Sequence, residues 1–121
     1  VNQVSEILNN NKMILNNSKI LLMGVAYKKD ISDMRESPAI DIAELLLDKE
    51  VDISYYDPYV EEFKVSGQII NREVDTNSFE DYDMLLVLTP HSNFAQLDFN
   101  NLKTIIFDTT GSDFINSTER I

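Results

Sequence analysis

The chain has 121 residues, carries 21 Asp and Glu against 10 Lys and Arg, and has a net charge of -11 at pH 7. That length allows one domain with its own core, and the acidic balance argues against nucleic acid, whose phosphates demand an extended basic surface. Having no cysteine and one histidine, these residues hold no disulfide, thiolate metal site, cysteine nucleophile or histidine-rich metal centre.

Val1 to about Leu15 reads as a helix whose apolar spacing (Val1, Val4, Leu8) is already running at the first residue. This predicts a piece of a longer protein. "NNSK" (16–19) is a turn, and "KILLMGVAY" (19–27) is an apolar run suited to a strand buried on both faces of a parallel sheet. A loop of alternating charge follows. Ser37 then stands as helix N-cap, Pro38 at the first helical position and Asp41 in the first turn, with the helix running to about Lys49. "VDISYYD" (51–57) alternates as a strand and stops at Asp57-Pro58, and a short helix is expected near 59–64. "DMLLVLT" (83–89) is a second buried strand, Thr89-Pro90 opens a short helix through about Gln96, and "KTIIFDT" (103–109) is the last strand. The longest apolar runs, Ile20 to Ala26 and Met84 to Leu88, are too short to cross a bilayer, and no signal-peptide pattern opens the chain. A cytoplasmic chain without membrane contact is expected.

Strands alternating with helices predict an α/β fold, a Rossmann-like three-layer sandwich with a mainly parallel sheet. Ligands then bind beyond the carboxyl ends of the strands, here the loops after Tyr27, Tyr56, Thr89 and Asp108. The first of these loops puts Lys28, Lys29 and Arg35 within eight residues of an acidic chain and leads into a helix N-terminus, a favourable place for an anion. Gly24 stands alone in it, without the glycines of a dinucleotide or Walker loop, so lysine charge and an arginine fork would replace a glycine cradle. On charge pattern alone, a solvated loop of weak surface ion pairs explains the same residues.

"GVAYKKDISDMRESPAIDIAELL", with "YYDP" at 55–58 and "LTPHSNF" at 88–94, resembles the C-terminal domain of the UDP-glucose/GDP-mannose dehydrogenase family. The resemblance covers residues 19 to 111. It implies an NAD-dependent enzyme that oxidises the C6 alcohol of a nucleotide sugar to a carboxylate in two hydride transfers. Residues 1–17 would end the helix that links this domain to an N-terminal NAD-binding domain, and 18–121 would be the nucleotide-sugar-binding domain, inactive alone. The dinucleotide fingerprint and the catalytic cysteine would lie upstream, so no catalytic or metal-binding residue is expected here. By the same resemblance Tyr27 and Lys28 contact the UDP-sugar substrate, and Arg35 reaches NAD held by the other domain. The full-length enzyme would be a homo-oligomer. "Y-K-K-D" leans toward UDP-N-acetyl-hexosamine dehydrogenases, which supply precursors of surface polysaccharides. Many relatives carry a substrate-contacting arginine where this chain has Thr110, so one cationic contact is missing.

Three residues keep two readings. Tyr27 either meets substrate or finishes a strand. Asp57 either holds a ribose, as acidic residues at this place do in dinucleotide folds, or turns the chain with Pro58. His91 either faces the cleft, where its near-neutral pKa suits proton transfer, or serves the start of a helix. A stand-alone nucleotide- or phosphate-binding module and a ligand-free structural or oligomerisation domain are the alternative functions.

Overall fold

The computed structural model describes residues 17–27, 30, 37–97, 104–110 and 119–120. The expected helix over Val1 to Leu15 lies outside them, as do Lys28 and Arg35. Five-residue β1 (Lys19–Met23) runs through the middle of the sheet, with Ile20 to Met23 fully buried. β2 (Asp52–Tyr56) pairs with it on one side and β6 (Met84–Val87) on the other, both parallel. β5 (Asn71–Arg72) extends the sheet beyond β2, while β7 (Ile105–Asp108) and β8 (Glu119–Arg120) extend it beyond β6. The order β5-β2-β1-β6-β7-β8 is that of a doubly wound dinucleotide-type sheet, and every pairing within it is parallel. The expected Rossmann-like α/β class holds.

Alternate side chains of the central strands leave the sheet on opposite faces. Ile20, Leu22, Ile53, Tyr55, Met84 and Leu86 join the cluster under α1 (Pro38–Asp48). Leu21, Met23, Leu85 and Val87 instead meet Phe79 and Phe94, which come from two 3-10 turns, Thr76–Asp81 and Ser92–Gln96. Apolar burial on both faces explains why these strands read as continuous runs in the sequence.

Helix α1 forms where expected. The Ser37 hydroxyl accepts a hydrogen bond from Ala39 N (3.2 Å), Pro38 occupies the first turn, and Ala39, Ala43 and Leu46 are buried. The helix stops through paired carboxyl-end bonds, Val51 N to Leu46 O (3.1 Å) and Glu50 N to Leu47 O (3.0 Å). These bonds put Glu50 at φ 61, in the left-handed position that usually calls for glycine.

Two expectations fail. Residues 59–64 form no helix; the segment leads into the antiparallel hairpin of β3 (Lys64–Val65) and β4 (Gln68–Ile69), turned by Ser66 (φ 51) and Gly67 (φ 78). Two successive positive φ values suit the right-handed twist of a two-residue hairpin, and Phe63 is drawn down against Tyr55 with ring centroids 5.5 Å apart. The second failure is at Thr89-Pro90. The 3-10 turn begins at Ser92, and the Thr89 hydroxyl donates to Ala26 O (2.6 Å) instead of capping it.

Candidate functional site

The carboxyl ends of β1, β2 and β6 meet where the strand order reverses direction, the expected ligand position in such a sheet. Gly24 leaves β1 with φ +79, and a Cβ placed on it would lie 2.2 Å from Thr89 O. The lone glycine of the basic loop is therefore a point of backbone contact between the loops after β1 and β6. Gly24 N also donates to Tyr56 O (2.9 Å), which ties in the end of β2.

Asp57 fills the place just above. Its Oδ2 accepts from Val25 N (2.8 Å), Ala26 N (3.2 Å) and His91 Nε2 (2.8 Å), while Oδ1 accepts from Tyr59 N (2.8 Å). Only 1% of Asp57 is exposed, so it cannot reach a ribose; the turn-forming reading is correct, extended by the anchoring of β1's loop. Burial opposes ionisation of this carboxyl, but hydrogen bonds from His91, Val25 and Tyr59 outweigh it and hold the group below its ordinary 3.8.

His91 is fully buried. Its Nδ1 accepts from Asp30 N (2.7 Å), so the ring proton sits on Nε2 and is donated to Asp57. The histidine thus has the structural role foreseen as one of its readings, though by bridging loops: it makes no side-chain cap bond to the 3-10 turn. Asp30 returns the contact through its carboxylate, which accepts from Ser92 N (2.7 Å) and Ser92 Oγ (2.6 Å).

The anion position suggested by the sequence changes in one respect. Val25 and Ala26 N–H groups are engaged by Asp57. At the start of α1, Pro38 has no N–H, Ala39 N bonds Ser37 Oγ and Ile40 N bonds Ser37 O (3.2 Å). The Ser37 hydroxyl donates back to Val25 O (2.6 Å). Among the described residues, the backbone donors of Val25, Ala26, Ala39 and Ile40 are thus bonded within the chain, and these residues do not fit NAD as a Rossmann cradle would.

Tyr27, at the rim of this floor, is 44% exposed. Its expected partners Lys28 and Arg35 lie outside the described residues. Thr110, where the resemblance leads to the expectation of a missing cationic contact, turns inward: its N and Oγ1 both donate to Asp108 Oδ1 (2.8 and 2.6 Å). A depression of about 240 Å³ opens beside β2, lined by Tyr56, Asp57, Pro58, Arg72, Glu73 and Val74. Arg72 donates from Nη2 to Asp57 O (3.1 Å). The linkage of Asp57 to His91 escaped the sequence reading, which weighed each alone. The available signal was that "YYDP" and "LTPH" both follow buried strands, which places their last residues on loops at one end of a parallel sheet.

Residues 21–116 match the UDP binding domain of the UDP-glucose/GDP-mannose dehydrogenase family. The chain belongs to that family. Among relatives, it is 34% identical over 89 residues to a UDP-N-acetyl-D-mannosamine dehydrogenase of Methanococcus aeolicus, covering 74% of this chain and 19% of the relative. It is 42% identical over 78 residues to UDP-glucose 6-dehydrogenase 2 of Arabidopsis thaliana, covering 64% of this chain and 15% of that one. The chain thus spans under a fifth of the length of these dehydrogenases. The solved UDP-N-acetyl-mannosamine dehydrogenase of Staphylococcus aureus is similar over 98% of this chain and 27% of its own, with 31% identity and a TM-score of 0.68. An NDP-N-acetyl-D-galactosaminuronic acid dehydrogenase from Methanosarcina mazei, at 22% identity and a TM-score of 0.76 over 94% of this chain and 24% of its own, shares the fold. The UDP-binding domain of UDP-sugar dehydrogenases is what this family's segment forms.

Proposed function

We propose that this chain binds the nucleotide diphosphate of a UDP-sugar as the substrate-binding part of an NAD-dependent nucleotide-sugar 6-dehydrogenase, working in the cytoplasm. The observation that carries this reading is the family match over residues 21–116, whose loops gather at the carboxyl ends of β1, β2 and β6. Lys28 supplies the charge for the pyrophosphate that the Val25 and Ala26 amides, bonded to Asp57, do not. Tyr27 stacks or bonds beside it. Arg35 extends toward NAD held by an N-terminal domain, and the complete enzyme is a homo-oligomer.

NAD, bound elsewhere, takes the hydride; this chain's residues orient the substrate and exclude water when the two domains close. The product class, a sugar uronate on a nucleotide, suits precursors of surface polysaccharides. "Y-K-K-D" favours an N-acetyl-hexosamine over glucose, and Thr110 removes a cationic contact to the sugar.

An amide NMR titration of the chain with UDP, UDP-N-acetylglucosamine, UDP-glucose and GDP tests this. Shifts confined to residues 24–38 and favouring UDP ligands are expected, and Lys28→Ala should weaken binding about tenfold. Equal response to GDP, or wild-type affinity in Lys28→Ala, would remove the assignment.

A further inference from the structure

The residues joining the three loops form a relay. The Asp57 carboxylate is fixed by Val25 N and Tyr59 N, and it holds His91 by Nε2 at 2.8 Å. The imidazole is wedged between the rings of Tyr59 and Phe94, with centroids at 4.7 and 5.5 Å. Its far nitrogen, Nδ1, takes the Asp30 N–H at 2.7 Å. Asp30 benefits from such holding, because its φ of 64 lies in the left-handed region, which is unfavourable for a residue with a Cβ unless local bonds hold it there. A second tie comes from Ser92, next to His91, whose N and Oγ both donate to the Asp30 carboxylate. The loop from β1 is thus anchored at Ala26 by Asp57 and at Asp30 by His91, and Tyr27 and Lys28 lie between those anchors in the sequence.

We propose that His91 is a positioning residue: its imidazole transmits the fixed location of the Asp57 carboxylate to the Asp30 amide and so sets the course of the loop that presents Tyr27 to a nucleotide diphosphate. This rests on the UDP-sugar reading given above. A core histidine that merely filled space would need neither a defined tautomer nor an acceptor facing a strained amide. Here each ring nitrogen has a separate task, and substitutions can remove the tasks one at a time. His91→Gln carries a donor to the Nε2 place and keeps the bond to Asp57 while losing the acceptor for Asp30. His91→Asn puts an oxygen at the Nδ1 place and does the reverse.

The test has a ligand-free arm and a ligand arm, both on the 121-residue chain. Long-range 15N spectra of wild type should give the neutral Nε2–H tautomer; the Nδ1–H form would overturn the relay. In His91→Gln the Asp30 amide should shift and exchange faster while Val25 and Ala26 stay protected, and in His91→Asn the pattern should invert. With UDP as probe, His91→Gln should raise Kd roughly tenfold, the equivalent of one lost hydrogen bond. His91→Asn should recover part of that loss even if its Tm is the lower of the two. If Kd follows Tm regardless of which nitrogen is replaced, or if His91→Gln leaves the Asp30 amide untouched, the positioning role is wrong. Should His91→Gln fail to fold, Ser92→Ala at the exposed side of the same tie should still raise Kd about threefold, and an unchanged Kd there counts against the proposal. Absence of UDP binding by wild type would overturn the nucleotide reading itself, and the ligand-free arm would then decide the relay alone.

Discussion

Gly24 and Gly67 hold nearly the same backbone, φ +79 and +78, in regions that use it for different ends. At Gly67 nothing lies within 4 Å of where a Cβ would stand, and the residue serves the local twist of the β3–β4 hairpin. At Gly24 that Cβ would meet Thr89 O at 2.2 Å and Thr89 Cβ at 2.8 Å. One glycine answers a dihedral angle; the other answers the loop after β6. The hairpin is therefore a place where sequence can drift, whereas the crossing of the β1 and β6 loops fixes the geometry of everything built over it.

Substitutions can break this contrast or sharpen it. Gly24→Ala should be the most damaging, with a loss of about 4 kcal/mol in urea unfolding, because rigid backbone cannot yield to the new methyl. Asp57→Ala comes next, at about 3 kcal/mol, since it leaves the buried Val25 and Ala26 N–H groups, the Tyr59 N–H and the His91 donor without an acceptor. Gly67→Ala should cost only about 1 kcal/mol, the left-handed penalty alone. If it equals Gly24→Ala, the distinction between the two regions fails. Glu50→Gly should move the other way, gaining roughly 1 kcal/mol, because Glu50 sits at φ 61 with a side chain that is exposed. All four are read as midpoint shifts in the same denaturant titration.

The Asp57 contribution has a definite pH sign. Its carboxyl titrates below its ordinary 3.8 in the folded chain, so above that value both folded and unfolded forms are ionised and the full stabilisation is present. As pH falls below 3.8 the unfolded chain takes up the proton first, and the contribution is gone once the folded value is passed. Measured against Asp57→Asn, the stability gap should be constant above this window and close within it; a gap that persists into stronger acid would mean that the charge of Asp57 is not what holds the loop.

The sheet and α1 were legible because their signals are local. Buried runs such as Ile20 to Met23 and Met84 to Val87, and the Ser37-Pro38 cap, specify their elements without help from distant residues. β5 and β8 were not foreseen, being two-residue strands too short for any periodicity. The hairpin at 64–69 was not foreseen, because Ser66-Gly67 is a weak hairpin signal beside Asn-Gly or Asp-Gly, and the helix expected just before it at 59–64 does not form. In the site, Ser37 was read correctly as a cap, while Thr89 was misread, because its hydroxyl answers Ala26 O, 63 residues away in sequence. The Asp57–His91 pair was invisible for the same reason: residues 34 apart become neighbours only when β2 and β6 flank β1 in parallel.

A carboxylate tethered to its own chain acts as a permanent counter-ion for the Val25 and Ala26 amides, at an effective concentration that no dissolved anion reaches. Sulfate or inorganic phosphate in a buffer therefore has little to displace there, and those two amide signals should be indifferent to added salt. On the proposed reading, any ionic-strength dependence of nucleotide affinity would come instead from lysine charge such as that of Lys28, since attraction for a diphosphate is screened over about 10 Å at 0.1 M salt. The buried anion sets the shape of the loop, and it does so without answering to the medium.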